Sequence, residues 1–320
     1  MPISDRRALG ASGFQVSPLC LGGNVFGWGA DEAASFAVLD AYVELGGNFI
    51  DTANIYSAWV PGNQGGESES VIGRWLAARG RPDGLVIATK VGMAGGPLFP
   101  KGLSRAQIRD GAEQSLRRLG VERIDLFWAH EDDLDTTFEE TMGAFDELVR
   151  EGLVGAVAAS NIPAGRLAEA LQVSDDKGMV RYTAVQPHFN LLDRAGYAGD
   201  LEDLCRAEGL GVTPYFALAR GFLAGKYRPG EPLPDTPRAP GVQRDYMNDR
   251  GWNMLAEVER VAAAHGATAA QVALAWLMAR PGVTSPIASA TTPEQLRELA
   301  GASDLSLTAD EYAALDAAGA

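Results

Sequence analysis

Leu85-Val86-Ile87-Ala88-Thr89-Lys90 is the stretch on which the reading of the fold turns. Its apolar and β-favouring residues run without the alternation of a half-exposed strand, so both faces expect cover, as in a parallel sheet. A helical pattern at 104–119 and a second apolar run, Ile124–Ala129, complete one strand–helix–strand unit. The alternation continues in both directions. Comparable runs lie at Val16–Leu21, Asn48–Ile50, Val154–Ala159, Tyr182–Val185, Gly211–Pro214 and Val283–Ala288. Helical patterns fall at 31–45, 67–79, 136–151, 163–173, 198–208, 268–280 and 293–301. Ser104 and the start Thr292-Pro293-Glu294 carry N-cap chemistry, and Gly80, Gly120 and Gly152 stand where a left-handed residue closes a helix.

Eight such alternations in 320 residues predict the α/β class and a (β/α)8 TIM barrel, one domain over 1–320. The rival is a doubly wound open sheet, but Gly22-Gly23-Asn24-Val25-Phe26-Gly27 lacks the G-x-G-x-x-G turn that often announces it. Residues 1–14 predict an N-terminal β-hairpin. Residues 217–247, with Pro229, Pro232, Pro234, Pro237 and Pro240, predict a long loop after the seventh strand, and 251–264 an extra helix.

Lys and Arg number 27 against 42 Asp and Glu, a net charge of −15. That balance excludes a general nucleic-acid binder or a protein of anionic membrane surfaces, and it obliges any phosphate ligand to find a local positive site. Cys20 and Cys205 are far apart and form no C-x-x-C, and with only His130, His188 and His265 no metal site is expected. The N-terminus lacks an apolar signal core, and no apolar run approaches the ~18 residues of a membrane span. A soluble, reduced, cytoplasmic protein is expected, with homo-oligomerisation left open.

In a barrel of this kind, chemistry belongs at the C-terminal ends of the strands. Polar residues stand at seven of these points: Asp51, Lys90, His130, Ser160-Asn161, Gln186, Tyr215 and Ser289. A strand ending on Lys90 needs a partner for a desolvated ammonium, and Asp51 on the neighbouring strand is the obvious one. Alone, that pair is equally an ion pair lining the barrel. Tyr56 and His130 add chemistry to it. A tyrosine hydroxyl titrates near pH ~10, and a nearby ammonium held by Asp51 is expected to lower that value and make Tyr56 a proton donor, with neutral His130 orienting a carbonyl.

At this point the chain resembles the aldo-keto reductases, NAD(P)-dependent barrel oxidoreductases. Asp51-Thr-Ala-x-x-Tyr56, Ala88-Thr-Lys90-Val-Gly and His130-x-x-Asp133 are similar to the family's catalytic segments, in the same order. Ala159-Ser160-Asn161, Val185-Gln186-Pro187, Gly225-Lys226-Tyr227 and Thr292-Pro-Glu-Gln295-Leu are similar to its cofactor segments. The resemblance implies that Tyr56 is the general acid, that Asp51 and Lys90 tune it, and that His130 orients the carbonyl. It implies a carboxamide held by Ser160, Asn161 and Gln186 and a nicotinamide stacked on Tyr215. Further cofactor contacts are implied at Gly22, Gly23, Asn24, Phe216, Leu218, Arg220, Gly221, Lys226, Ser289, Thr291 and Gln295. Trp28, Trp59 and Trp128 follow or end strands and are expected as substrate-pocket walls or as packing.

Two departures bear on the cofactor. Phe216-Ala217-Leu218 replaces the usual Ser-Pro-Leu, with Arg220 where glycine is common, and no cation follows Ser289 until Arg297. NADP(H) is favoured and NAD(H) stays open. The expected activity is hydride transfer between a nicotinamide and a small aldehyde, ketone or sugar. Three other readings stay open: oxidation of an alcohol or aldose by the same residues, a cofactor-bound regulatory or scaffold protein, and a lyase using Lys90 as a Schiff-base nucleophile.

Overall fold

The computed structural model describes residues 2–95, 98–236 and 238–319. A short antiparallel hairpin, β1 (Arg7–Ala8) and β2 (Gln15–Val16), precedes eight parallel strands. These are β3 (Cys20–Gly22), β4 (Phe49–Asp51), β5 (Val86–Val91), β6 (Ile124–Ala129), β7 (Val154–Ser160), β8 (Tyr182–Gln186), β9 (Gly211–Val212) and β10 (Ile287–Ala288). They pair in the order β10-β3-β4-β5-β6-β7-β8-β9. The remaining gap, between β9 and β10, is crossed by a parallel bridge between Val212 and Val283 and by the Ile287 N–H donating to the Pro214 carbonyl at 2.8 Å. The sheet curls as a (β/α)8 barrel does.

Helices α1 (Glu32–Glu44), α2 (Glu67–Arg79), α3 (Arg105–Leu119), α4 (Phe138–Arg150), α5 (Ala164–Lys177) and α6 (Asp200–Ala207) alternate with the strands. After β9 come α7 (Ala239–Tyr246), α8 (Asp249–His265) and α9 (Ala269–Ala279), and after β10 come α10 (Pro293–Ala300) and α11 (Ala309–Ala318). Ser104 and Gln107 close a full capping box at the start of α3, and Thr292 caps α10 with Pro293 in its first turn, where a missing N–H costs nothing.

Strand parity divides the core. On β5, Val86 and Ala88 face the barrel interior with Phe49, Leu126, Trp128, Ala156, Ala158 and Ala184, whereas Ile87 and Val91 face the helices. Outward-facing Thr89 donates to Glu69 of α2 at 2.5 Å, and Arg118 of α3 neutralises that buried carboxylate at 2.6 Å. The hairpin plugs the N-terminal end of the barrel with Leu9 and Val16, both fully buried. Gly10 makes this possible: at φ +51°, an added Cβ would lie 2.0 Å from the Thr183 carbonyl oxygen.

Three expectations are corrected. The run Val16–Leu21 is not one strand: Pro18 cannot donate to a ladder, so Val16 ends the hairpin and the barrel strand begins at Cys20. The connection 217–247 is not structureless. It holds a 3₁₀ turn, Ala219–Ala224, and α7, whose Pro240 lies in the first helical turn; Pro237 lies outside the described residues. Helix α11, absent from the expected elements, closes the chain on a Thr308–Glu311 capping box. Among the described residues no single helix is long and apolar enough to cross a membrane.

Candidate active site

The parity that fills the barrel also builds its mouth. Asp51, Lys90, His130, Ser160 and Gln186 each stand two residues beyond an interior residue: Phe49, Ala88, Trp128, Ala158 and Ala184. Each is therefore an inward-facing side chain at the end of its strand or, for His130, one residue beyond it, and all five are buried. One alternation thus brings together residues separated by up to 135 positions, as in the 3.1 Å hydrogen bond from Gln186 Nε2 to Asp51 Oδ1.

Lys90 is the hub. Its ammonium, fully buried, donates to Asp51 Oδ2, to the Thr52 carbonyl at 2.8 Å and to the Tyr56 hydroxyl at 2.9 Å. Three acceptors satisfy its three N–H groups, which is what allows a cation to remain charged without water. Burial alone favours the neutral amine, but the Asp51 carboxylate and the Tyr56 oxygen outweigh it and hold the ammonium above its ordinary value. Burial pushes the Asp51 carboxyl up, opposed by Lys90, Gln186 and the Trp128 indole.

For Tyr56 the expected lowering is corrected. Burial raises its hydroxyl, and the Lys90 ammonium opposes that rise without overcoming it. Tyr56 therefore keeps its proton at neutral pH. His130 is driven well below its ordinary value by burial and by the Lys90 charge, so its imidazole is neutral. Its ring stands edge-on to Tyr56, centroids 6.1 Å apart, and the Asn161 amide donates to its backbone carbonyl at 2.9 Å.

On the opposite wall, Ser160 Oγ donates to the Gln186 carbonyl at 2.9 Å. Asn161, at φ +50°, turns its side chain so that Oδ1 accepts from the Tyr215 hydroxyl at 2.7 Å. Asn24 and Ser289 meet at 2.6 Å across the β3–β10 seam, where a Cβ on Gly22 would lie 2.6 Å from Ser289 Oγ, and the Gly23 N–H donates to the Asp51 carbonyl at 2.7 Å. The Gln295 side chain folds back to accept from the Thr291 N–H and hydroxyl, both at 3.0 Å.

The segment after β9 is bent sharply: Phe216, Ala219, Arg220 and Gly221 all have positive φ, and the Leu218 carbonyl accepts from the Gly221 N–H at 2.8 Å. Arg220 lies 5.0 Å over the Phe216 ring and 3.5 Å from Asp245. Lys226 and Arg238 have no carboxylate partner among the described residues, and burial lowers both. Lys226 senses the charge of Arg238, and Arg238 that of Arg220, so three cations share one region. The sequence reading missed Arg238. Its signal was a cation between prolines, Pro237 and Pro240, in a loop already flagged for its length.

The three indoles part company. Trp28 and Trp59 meet edge to face at 5.9 Å, and Trp59, 52% exposed, reaches the Tyr56 ring at 6.0 Å. Trp128 is corrected as a pocket wall: it lies within β6, fully buried in the barrel interior opposite Lys90, and forms a floor under the ion pair.

The barrel mouth thus carries a buried, ammonium-supported tyrosine beside a neutral histidine. The sequence model of the Aldo/keto reductase family matches residues 18–320, and the chain belongs to that family. Among its relatives are the uncharacterized oxidoreductase YrpG of Bacillus subtilis, 35% identical over 307 residues (93% of this chain, 91% of the relative), and norsolorinic acid reductase of Aspergillus flavus, 30% identical over 320 residues (96% and 78%). A probable voltage-gated potassium channel subunit beta of Arabidopsis thaliana is 31% identical over 299 residues (91% and 88%).

Proposed function

We propose that this oxidoreductase transfers a hydride between NADP(H) and a small aldehyde, ketone or sugar, with Tyr56 as general acid and, in the reverse direction, base. The observation that carries the reading is the contact of the Lys90 ammonium with the Tyr56 hydroxyl at 2.9 Å. Tyr56 holds a proton at neutral pH and gives it to the substrate oxygen; the phenolate left behind faces an ammonium that Asp51 keeps charged and in place. His130, neutral, orients the carbonyl oxygen without competing for that proton.

The dihydronicotinamide, when bound, supplies the hydride. Residues suited to hold the cofactor are present. Tyr215 offers a half-buried ring bonded to Asn161, and Lys226 and Arg238, without a carboxylate partner among the described residues, form a cation cluster with Arg220 in a chain of net charge −15. That cluster favours the more highly charged dinucleotide, NADP(H), over NAD(H). The same net charge supports a small-molecule partner rather than a nucleic acid or an anionic membrane.

The test is titration with NADPH and NADH by fluorescence quenching, then a carbonyl and sugar panel with the tighter nucleotide. Saturable quenching, tighter for NADPH, and turnover on a carbonyl support the reading. Tight binding with no turnover on a broad panel supports a cofactor-bound regulatory role instead.

A further inference from the structure

His188 takes no part in the chemistry above, yet it touches the ring proposed to carry the nicotinamide. It follows β8 by two residues and is bridged in parallel to Tyr215, whose N–H donates to the Pro187 carbonyl at 3.0 Å. The two rings are stacked, centroids 5.2 Å apart and planes within 18°. The hydroxyl end of Tyr215 is pinned by Asn161 at 2.7 Å and its edge meets Phe216 at 5.1 Å, so the imidazole is the ring stacked on its face that sets the tilt.

The imidazole is itself held. His188 Nε2 lies 3.1 Å from Asp193 Oδ2, the same oxygen that accepts from the Asn190 amide at 2.9 Å and from the Tyr246 hydroxyl at 2.6 Å. Burial alone would raise the Asp193 carboxyl, but the neighbouring His188 ring and the hydrogen bonds from Tyr246 and Asn190 bring it down to about 2, so it stays an acceptor. Tyr246 ends α7, the helix of the 217–247 connection. The residue before it, Asp245, pairs with Arg220, whose guanidinium covers Phe216. Two adjacent residues of α7 therefore reach two adjacent residues of the platform, one through Asp193 and His188 to Tyr215, the other through Arg220 to Phe216.

We propose that His188 is a positioning residue: through Asp193 and Tyr246 it sets the plane of Tyr215 from the position of α7, and so governs the angle at which hydride passes. This rests on the reading of Tyr215 as the nicotinamide platform. A small misplacement of reacting atoms costs rate steeply, whereas dinucleotide affinity resides mainly in contacts to its phosphates.

The experiment uses the full chain with NADPH and its 4-deuterated form. In His188→Ala, kcat is expected to fall about tenfold or more, with a larger deuterium isotope effect on kcat. The NADPH dissociation constant from fluorescence quenching should stay within about threefold. His188→Phe keeps a stacked ring and should recover part of the rate. Asp193→Asn keeps the imidazole but weakens its tie, and should show the same isotope signature in smaller degree. Near-UV circular dichroism confirms that each variant is folded. An unchanged kcat and isotope effect in folded His188→Ala overturns the inference while leaving the reductase reading intact. An unaltered chain that neither binds NADPH nor turns over a carbonyl overturns the reading, and this inference with it.

Discussion

Replacing Lys90 with methionine exposes the energetics on which the site depends. The ammonium is fully buried and the Asp51 side chain is 2% exposed, so the variant leaves a carboxylate in the barrel with only the Gln186 amide, 3.1 Å away, and the Trp128 indole to support it. Breaking one side of a buried pair typically costs about 3–5 kcal/mol, a large share of the ~5–15 kcal/mol that holds a domain folded. Asp51 can escape by taking up a proton, which gives the loss a pH signature. In the variant the folded-state pKa of Asp51 stands above its unfolded value of about 3.9, so the folded state binds the extra proton. Stability is then intact below about pH 4 and declines by about 1.4 kcal/mol per pH unit as pH rises, until Asp51 ionises. Urea denaturation followed by tryptophan fluorescence from pH 4 to 8 measures it. The variant should match the unaltered protein at pH 4 and fall behind at pH 8. Adding Asp51→Asn should restore most of the loss, because a neutral amide needs no counter-charge. A Lys90→Met midpoint unchanged at pH 8, or a double variant weaker than the single one, would refute the reasoning.

Other consequences are as specific. Lys226→Gln and Arg238→Gln should each weaken NADPH by about 10- to 100-fold while weakening NADH less, since a hydrogen bond to a charged group is worth about 1.5–3 kcal/mol; titration of both nucleotides measures the ratio. Asp193→Asn should cost about 1–2 kcal/mol at pH 7 after allowance for solvent screening. Because the folded-state value is depressed to about 2, that cost should disappear as pH falls from about 4 toward 2, read by denaturation against pH. Gly10→Ala puts a Cβ 2.0 Å from a backbone oxygen at positive φ and should lower stability by about 3 kcal/mol or more, seen in the melting temperature.

The barrel was legible because its strands are covered on both faces and say so in their composition. Ile124–Ala129 and helix 67–79 match the expected bounds, and the strand-end rule led to Asp51, Lys90 and His130 because a buried run that halts on a charge has few physical excuses. The shortest elements were hardest to place. With two residues each, β9 and β10 are held by neighbours rather than by their own propensity, and the split at Pro18 depends on the hairpin's need to plug the barrel. Helix α7 was hidden by the prolines around it, which mark a turn as readily as a first helical turn. Two electrostatic points needed coordinates. The balance of burial against Lys90 at Tyr56 depends on depth, which spacing does not give. The cation cluster depends on Arg238 folding back toward Lys226 and Arg220. On the proposed function, a phosphate in a chain of charge −15 would meet its cations in the 217–247 connection, while at the start of α10 Gln295 accepts from Thr291.

On the proposed mechanism Tyr56, supported by Lys90, delivers the proton. Single-turnover NADPH oxidation by Tyr56→Phe, with an aldehyde the unaltered chain reduces, tests it most directly. The rate constant should fall by about 10²- to 10⁴-fold with NADPH affinity nearly unchanged, because the phenyl ring keeps its place and loses only the hydroxyl. A rate within about twofold of the unaltered chain would exclude Tyr56 as the proton donor and return Asp51 and Lys90 to the role of an ion pair lining a barrel.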